Sequence, residues 1–295
     1  MKIVLTGSLG NIGKPLAEML VADGHLVTVI SSNLEKASDI KKIGGVAAIG
    51  AVTDSHFLEK TFAGADSVFC MTPSDHQHQD EFGYYQNIAH SYKRAIIKSG
   101  VCRVVYLSSN GANLATGTGF IKGSYYSEQL LNEIPNIYLT HIRPGFFYQN
   151  FFGFAAMVKF VGFIGAAYGG DDKVVMASPK DVAELIAEEL VKPHTFQLVR
   201  YVASDDRTCN EIASVLGNAV GIPDLKWNTL PEDEAIDALR HSGMMEEVAM
   251  NFVELGGALH SGKLREDFDA HGKVEGRVKL EDFAPEFADV FKAIK

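Results

Sequence analysis

The sequence has little of what holds a small secreted domain together. It contains three cysteines, Cys70, Cys102 and Cys209, scattered and odd in number. They supply neither a disulfide framework nor the close spacing of a metal site, so no metal is expected and the compartment reads as reducing and cytoplasmic. Positive charge is in deficit, with 27 Lys and Arg against 37 Asp and Glu and a net charge of −10. A chain this acidic has no general attraction for a phosphate backbone or an anionic membrane, and neither nucleic acid nor membrane is an expected partner. Long apolar runs are missing too. The richest stretch, Phe146 to Tyr168, is interrupted by Gln149, Asn150, Lys159 and glycines, and reads as buried loop and helix. With a strand expected from residue 2, no room is left for a signal peptide. There is no internal repeat and no low-complexity tract.

What is present is apolar material at 46% of 295 residues, enough for a large core. In the first half it falls into short apolar runs alternating with helical patterns. Strands are expected over 3–5, 26–30, 46–49, 67–71, 103–108 and 137–142. Helices are expected over 14–23, 34–43, 55–62, 82–98 and 125–133, with Gly24 and Gly100 as stops. Such alternation implies parallel strands joined by right-handed helical crossovers, the doubly wound α/β sheet of the Rossmann type. The second half is less regular. A helix over 179–191 leads to a strand over 196–203 that extends the sheet. Residues 209–220 form an amphipathic helix, 233–255 are largely helical with a break near Gly243, and 280–291 carry Leu280, Phe283, Phe287, Val290 and Phe291 at helical spacing. The expected division is a Rossmann domain of 1–147 plus about 174–203. A smaller, mixed substrate lobe takes about 148–173 plus 204–295.

Between the first strand and the first helix stands Thr6-Gly7-Ser8-Leu9-Gly10-Asn11-Ile12-Gly13. Gly7 permits the sharp turn, Gly10 lets a pyrophosphate approach the backbone, and Gly13 lets the helix pack close to the sheet. The free N–H groups at the helix start, and the helix dipole, then favour an anion. A glycine triplet alone is a weak signal, but strand before and helix after are the context the motif requires. The loop, with Leu9, Asn11 and Ile12, is therefore expected to hold a dinucleotide. An NAD-preferring site places a carboxylate at the end of the second strand. Here that strand ends Ser31-Ser32-Asn33, with Lys36 one turn on and no arginine. The absent acid predicts NADP(H) over NAD(H), with modest selectivity.

Several further segments share a resemblance with this loop. Gly7 to Gly13, Phe62-Ala63-Gly64-Ala65-Asp66-Ser67-Val68, Thr140-His141-Ile142-Arg143-Pro144-Gly145-Phe146-Phe147 with Asn150, Ser178-Pro179-Lys180-Asp181-Val182-Ala183 and Thr208-Cys209-Asn210-Glu211-Ile212-Ala213 resemble the NmrA-like group of atypical short-chain dehydrogenases. That group includes quinone and dye reductases, plant phenylpropanoid reductases, and redox-sensing regulators that bind dinucleotide without catalysis. The resemblance implies further cofactor contacts at Met71, Thr72 and Pro73, at Ser108 and Ser109, and at Gly145, Phe146 and Phe147.

Most short-chain dehydrogenases reduce carbonyls with a Tyr-x-x-x-Lys pair, the tyrosine protonating the developing alkoxide and the lysine lowering its pKa. None of the ten tyrosines here has lysine four residues later. Reduction of a quinone or dye spreads charge over a ring and needs chiefly a hydride donor and an aromatic slot. Phe120, Tyr125, Phe147 and Phe151 are the expected substrate wall, and Ser108 and Tyr125 the candidate catalytic residues. The expected function is an NAD(P)H-dependent reductase of a conjugated small molecule, and the alternative is an NADP(H)-binding sensor with no catalysis. Asp75-His76-Gln77-His78-Gln79-Asp80 reads as a solvated loop that flanks the nicotinamide rather than as a metal site.

Overall fold

The computed structural model describes residues 1–73, 80–192 and 198–295. Its elements are β1 (Lys2–Leu5), α1 (Gly13–Ala22), β2 (Leu26–Ser31), α2 (Lys36–Lys42), β3 (Val46–Ile49), α3 (Ser55–Phe62), β4 (Ser67–Met71), α4 (Glu81–Ser99), β5 (Arg103–Leu107), α5 (Ile121–Asn132) and β6 (Tyr138–Pro144). There follow β7 (Phe146–Phe147), a 3-10 turn (Tyr148–Phe154), α6 (Ala155–Val161), β8 (Ile164–Ala166), β9 (Lys173–Ala177), α7 (Pro179–Val191), β10 (Leu198–Val202) and β11 (Asp205–Thr208). The chain ends with α8 (Cys209–Val220), β12 (Trp227–Thr229), α9 (Glu232–His241), α10 (Glu246–His260), α11 (Glu266–His271) and α12 (Leu280–Ala293).

The main sheet has seven strands in the order β10-β6-β5-β4-β1-β2-β3, and the pairings from β3 through β6 are parallel. The expected doubly wound α/β fold is present. Central strands such as β1 and β4 are near-continuous apolar runs because helices cover both faces. Helices begin where side chains meet orphan N–H groups: Asp54 caps α3, and Asp80 accepts from Gly83 N–H to start α4. Strand order reverses at β1, between β2 and β4, and the carboxyl end of β1 opens there into the glycine loop. The expected strand 196–203 is β10 from Leu198; Phe196 and Gln197 lie outside the described residues.

The chain forms two compact units. The first comprises Met1–Ala112, Gly123–Arg143 and Val182–Arg200, and the second Asn113–Lys122, Pro144–Asp181 and Tyr201–Lys295. The second is nearly as long as the first, so it is not the small lobe expected. Residues 113–122, 144–147, 174–181 and 201–203, assigned to the sheet domain from sequence, belong to it. For 144–147 and 174–181 the reason is β9, which stands outside the main sheet and pairs with β7 in parallel and β11 antiparallel. A further pair, β8 with β12, is parallel. The core of this unit includes Tyr148, Phe151, Trp227, Phe283 and Phe287. Its helix α8 starts on a capping box, Thr208 and Glu211 satisfying each other's backbone N–H. The break near Gly243 separates α9 from α10, with φ +90° at that glycine.

Candidate functional site

The glycine loop is shaped from within. Gly7 has φ +90°, and a Cβ there would fall 2.2 Å from Met71 Sδ. Gly13 departs from the sequence reading: its Cβ would meet the Ser8 carbonyl oxygen at 2.0 Å, so it allows the loop to fold onto its own helix rather than the helix onto the sheet. Gly10 is different again. Nothing lies nearer its Cβ position than the Gly7 oxygen at 3.6 Å, and the residue is exposed. Nothing inside the protein demands glycine there. Helix α1 begins beside it with no side-chain cap and no acid in its first turn. Within that turn Lys14 N–H donates to Gly10 O at 3.0 Å and Pro15 has no N–H, so the groups left for an anion are the loop N–H groups up to Gly13.

Ser8, which the sequence reading passed over, fixes the loop. It sits at φ +58°, uncommon for a residue with a side chain. Its N–H donates to Ile30 O and its hydroxyl to Ser31 Oγ, both at 3.0 Å. Ser31 is buried and donates in turn to Asn33 O at 3.2 Å, while accepting from Asn33 N–H at 3.1 Å. Its single proton is therefore turned to Asn33 O. Ser32, Asn33 and Lys36 are exposed at the same strand end. Asn33 Oδ1 accepts from Glu35 N–H at 2.8 Å, which leaves its amide N–H groups for a ligand.

The ends of β4 and β5 follow. Met71 and Thr72 are half-buried, as is Pro73. Thr6, Met71 and Tyr92 form a closed ring. Met71 N–H donates to Thr6 Oγ1 at 2.9 Å, and Tyr92 lies 2.6 Å from Met71 O and 3.2 Å from Thr6 Oγ1. A tyrosine hydroxyl has one proton; given to Met71 O at the shorter distance, it leaves Thr6 to donate to Tyr92 Oη. The ring ties α4 to the two strand ends that flank the loop.

Ser108 does not stand alone at the end of β5. Its Oγ donates to Glu128 Oε1 at 2.5 Å. Arg143 donates Nε–H to the same oxygen at 2.9 Å and Nη2–H to Glu128 Oε2 at 2.6 Å. All three are nearly buried, on β5's end, α5 and β6. Sequence reasoning quoted Arg143 only as part of a resemblance and missed Glu128 altogether. The available signal was an ionisable residue within an apolar helix face, Leu130 and Leu131 following it. His141, also on β6, donates Nε2–H to Asn132 Oδ1 at 2.9 Å. Burial lowers its pKa to about 4, with Glu128 opposing and Arg143 reinforcing the shift.

Of the other candidates, Ser109 donates to Asn110 O at 3.1 Å. Tyr125 is half-buried on α5, and its hydroxyl has no hydrogen-bond partner among the described residues. Its neighbour Tyr126 meets His90 Nε2 at 2.9 Å. Leu9, Gly10, Asn11, Ile12, Ser32 and Ser108 thus share the first unit. Gly145, Phe146, Phe147, Phe120 and Phe151 belong to the second. There Gly145 packs its Cα against Val175, whose oxygen a Cβ would approach to 2.4 Å, so its identity is explained without a ligand. Phe147 pairs with Ala177 between β7 and β9, and Phe120 meets Phe252 edge to face at 4.7 Å. Phe151 is fully buried, in contact with Trp227 and Phe283. It is core, and the expectation that it lines a substrate wall is corrected. The run Asp75 to Gln79 lies outside the described residues, and Asp80 caps α4. Among the described residues no cluster has the makings of a metal site, and no helix is long and apolar enough to cross a membrane.

The family model of NmrA-like proteins matches residues 1–262. The chain belongs to the NmrA-like family. Among solved structures, it is similar to the NADPH-dependent quinone oxidoreductase of Escherichia coli complexed with NADPH, at 21% identity and a TM-score of 0.80, over 96% of this chain and 99% of that one. It is similar to the triphenylmethane reductase of Citrobacter sp. complexed with NADP(H), at 20% identity and 0.78, over 97% and 99%. It is also similar to NmrA, a negative transcriptional regulator in complex with NADP, at 12% identity and 0.70, over 97% and 94%. No curated protein matches the chain. At these identities the structures establish a shared fold, one that in other proteins serves both reductases and a regulator.

Proposed function

We propose that this NmrA-like chain binds NADP(H) at the end of β1 and delivers hydride to a quinone-like or other conjugated small molecule. The observation that carries the reading is the start of α1, where a helix N-terminus without a side-chain cap follows an exposed Gly10 that no protein contact requires to be glycine. Backbone N–H groups of Leu9 to Gly13 would face the pyrophosphate. Ser32, Asn33 and Lys36 would face the adenosine ribose, and Met71, Thr72, Pro73, Ser108 and Ser109 the nicotinamide side. A bound reduced nicotinamide supplies the hydride. The protein's part is to bind, to orient and to keep the strand ends rigid through the Thr6–Tyr92–Met71 ring.

The chain offers no Tyr/Lys relay for an alkoxide, and the proton of Ser108 is turned to Glu128. An acceptor that spreads charge over a ring and takes its proton from water suits such a site better than an isolated carbonyl. The missing acid–base pair also favours the second reading, a dinucleotide sensor. Mixing the protein with NADPH and a panel of quinones, dyes and enones separates the two by loss of reduced-nicotinamide absorbance. Oxidation of NADPH supports the reductase. Tight binding without oxidation across the panel selects the sensor, and no binding removes both.

Cofactor choice has its own test. With Ser31 occupied and only exposed donors and Lys36 left, the preference for NADPH over NADH is expected to be roughly fivefold in dissociation constant, the scale of one exposed ion pair. Equal constants would mean that this strand end does not read the 2′-phosphate.

A further inference from the structure

The surroundings of Ser108 fix where its proton lies. A guanidinium is always protonated, and Arg143 sets two N–H donors against the two oxygens of Glu128. A carboxylate so held only accepts. The contact of 2.5 Å between Ser108 Oγ and Glu128 Oε1 therefore takes the serine proton. Exposures of 7% for Ser108, 2% for Glu128 and 7% for Arg143 leave little water to compete. What Ser108 retains is lone pairs. Two residues on, Asn110 Oδ1 is buried with no hydrogen-bond partner among the described residues, a second acceptor that meets no donor from the protein. The loop leaving β5 is thus rich in acceptors, at the carboxyl end of a parallel strand where such folds bind ligands.

We propose that Ser108 is a hydrogen-bond acceptor toward ligand, so that the end of β5 selects a group bearing N–H or O–H and disfavours a bare carbonyl oxygen. This gives the candidate catalytic Ser108 an accepting role rather than that of a proton donor. Glu128 is the positioning residue, acting through Ser108, and Arg143 holds Glu128. The inference rests on the reading of this unit as a nicotinamide-dependent reductase. Two ligand groups share the required chemistry: the carboxamide N–H of the nicotinamide, and an amino or hydroxyl substituent on the conjugated substrate.

Equilibrium titration distinguishes these sources. NADPH is compared with its acetylpyridine analogue, which has a methyl where the carboxamide has N–H, on wild type and on Ser108→Ala. If the carboxamide is the donor, wild type binds NADPH about 3- to 10-fold tighter than the analogue and Ser108→Ala removes the difference. If the substrate is the donor, the same loss appears instead between an amino-substituted naphthoquinone and its unsubstituted parent, read as competition with a reporter dye. Wild type that discriminates in neither pair overturns the proposal. Glu128→Gln sharpens the test: its amide N–H, turned to Ser108, frees the serine proton for ligand, so the preference for the N–H-bearing partner should shrink or be lost. A role confined to folding would weaken both members of a pair equally. Should Glu128→Gln fail to fold, Ser108→Ala still decides. Proton NMR of the ligand-free protein gives a readout independent of any cofactor. A slowly exchanging hydroxyl resonance, lost in Ser108→Ala, is expected, and its absence from wild type overturns the proton placement. Failure of wild type to bind NADPH sinks the dinucleotide reading, while the hydroxyl resonance still reports on the serine.

Discussion

The three loop glycines do different work, and only one of them points outward. An alanine at Gly13 collides with the Ser8 carbonyl at 2.0 Å, and one at Gly7 meets Met71 at 2.2 Å, so both test the fold as much as the ligand. Gly10→Ala meets nothing closer than 3.6 Å. It should leave the melting temperature within about 1 °C of wild type while weakening NADPH binding at least roughly tenfold; unchanged affinity would show that no pyrophosphate lies there. His141 supplies a second test at this scale. Its pKa falls from 6.5 to about 4 on folding, because burial disfavours the charged ring. Between those values the unfolded chain binds a proton that the folded chain does not, so stability is full above pH 6.5 and is lost as pH falls toward 4. His141→Gln should remove about 2 kcal/mol of the wild-type decline in urea-unfolding free energy between pH 8 and pH 5. Equal declines in the two proteins would place the pH sensitivity elsewhere. Residues of this kind mark the edge of what the sequence discloses. Gly10 was legible because a strand and a helix flank it. The proton on Ser108 was not, since it depends on Glu128 and Arg143, which are distant in sequence and brought together by α5 and β6.

Elements of the first unit were legible to within about two residues, except that α5 starts at Ile121, four residues before the expected 125. Their strands are four to seven residues long, flanked by turns, and their helices carry caps at Asp54 and Asp80 and stops at Gly24 and Gly100. The second unit was not. Its strands β7, β8 and β12 have two or three residues, too few to show an alternating pattern, and β9 owes its place to partners on either side of it in the chain. Phe151 looked like a ligand contact because aromatics cluster around it; that same cluster is what buries it. The link between α4 and the main sheet is testable through Tyr92. Burial raises its hydroxyl pKa well above the ordinary value, which keeps it a donor. Tyr92→Phe deprives Met71 O of its donor and Thr6 of its acceptor inside the core. A loss of about 1–3 kcal/mol in unfolding free energy is expected by denaturant titration, and a neutral result would mean that the ring does not form.

At the scale of the molecule, a ligand that binds only the folded chain must raise its stability by mass action. NADPH at a hundred times its dissociation constant should contribute about 2.7 kcal/mol, seen as a melting temperature that climbs with NADPH concentration. A melting temperature indifferent to NADPH would count against binding of any functional strength. The two-unit division carries a different consequence, for how the protein is made. The first unit draws on three separate stretches of chain, interleaved with three of the second. Strand β6 has β10 as its outer neighbour, yet β7, α6, β8, β9 and α7 all lie between them in sequence. At ribosomal speeds of roughly 5–20 residues per second, the nascent sheet waits several seconds with the outer edge of β6 bare. An unpaired edge is an invitation to foreign strands. A ribosome pausing between Pro144 and Leu198 lengthens that exposure, so silent codon changes across this interval should alter the yield of folded protein without altering a single residue.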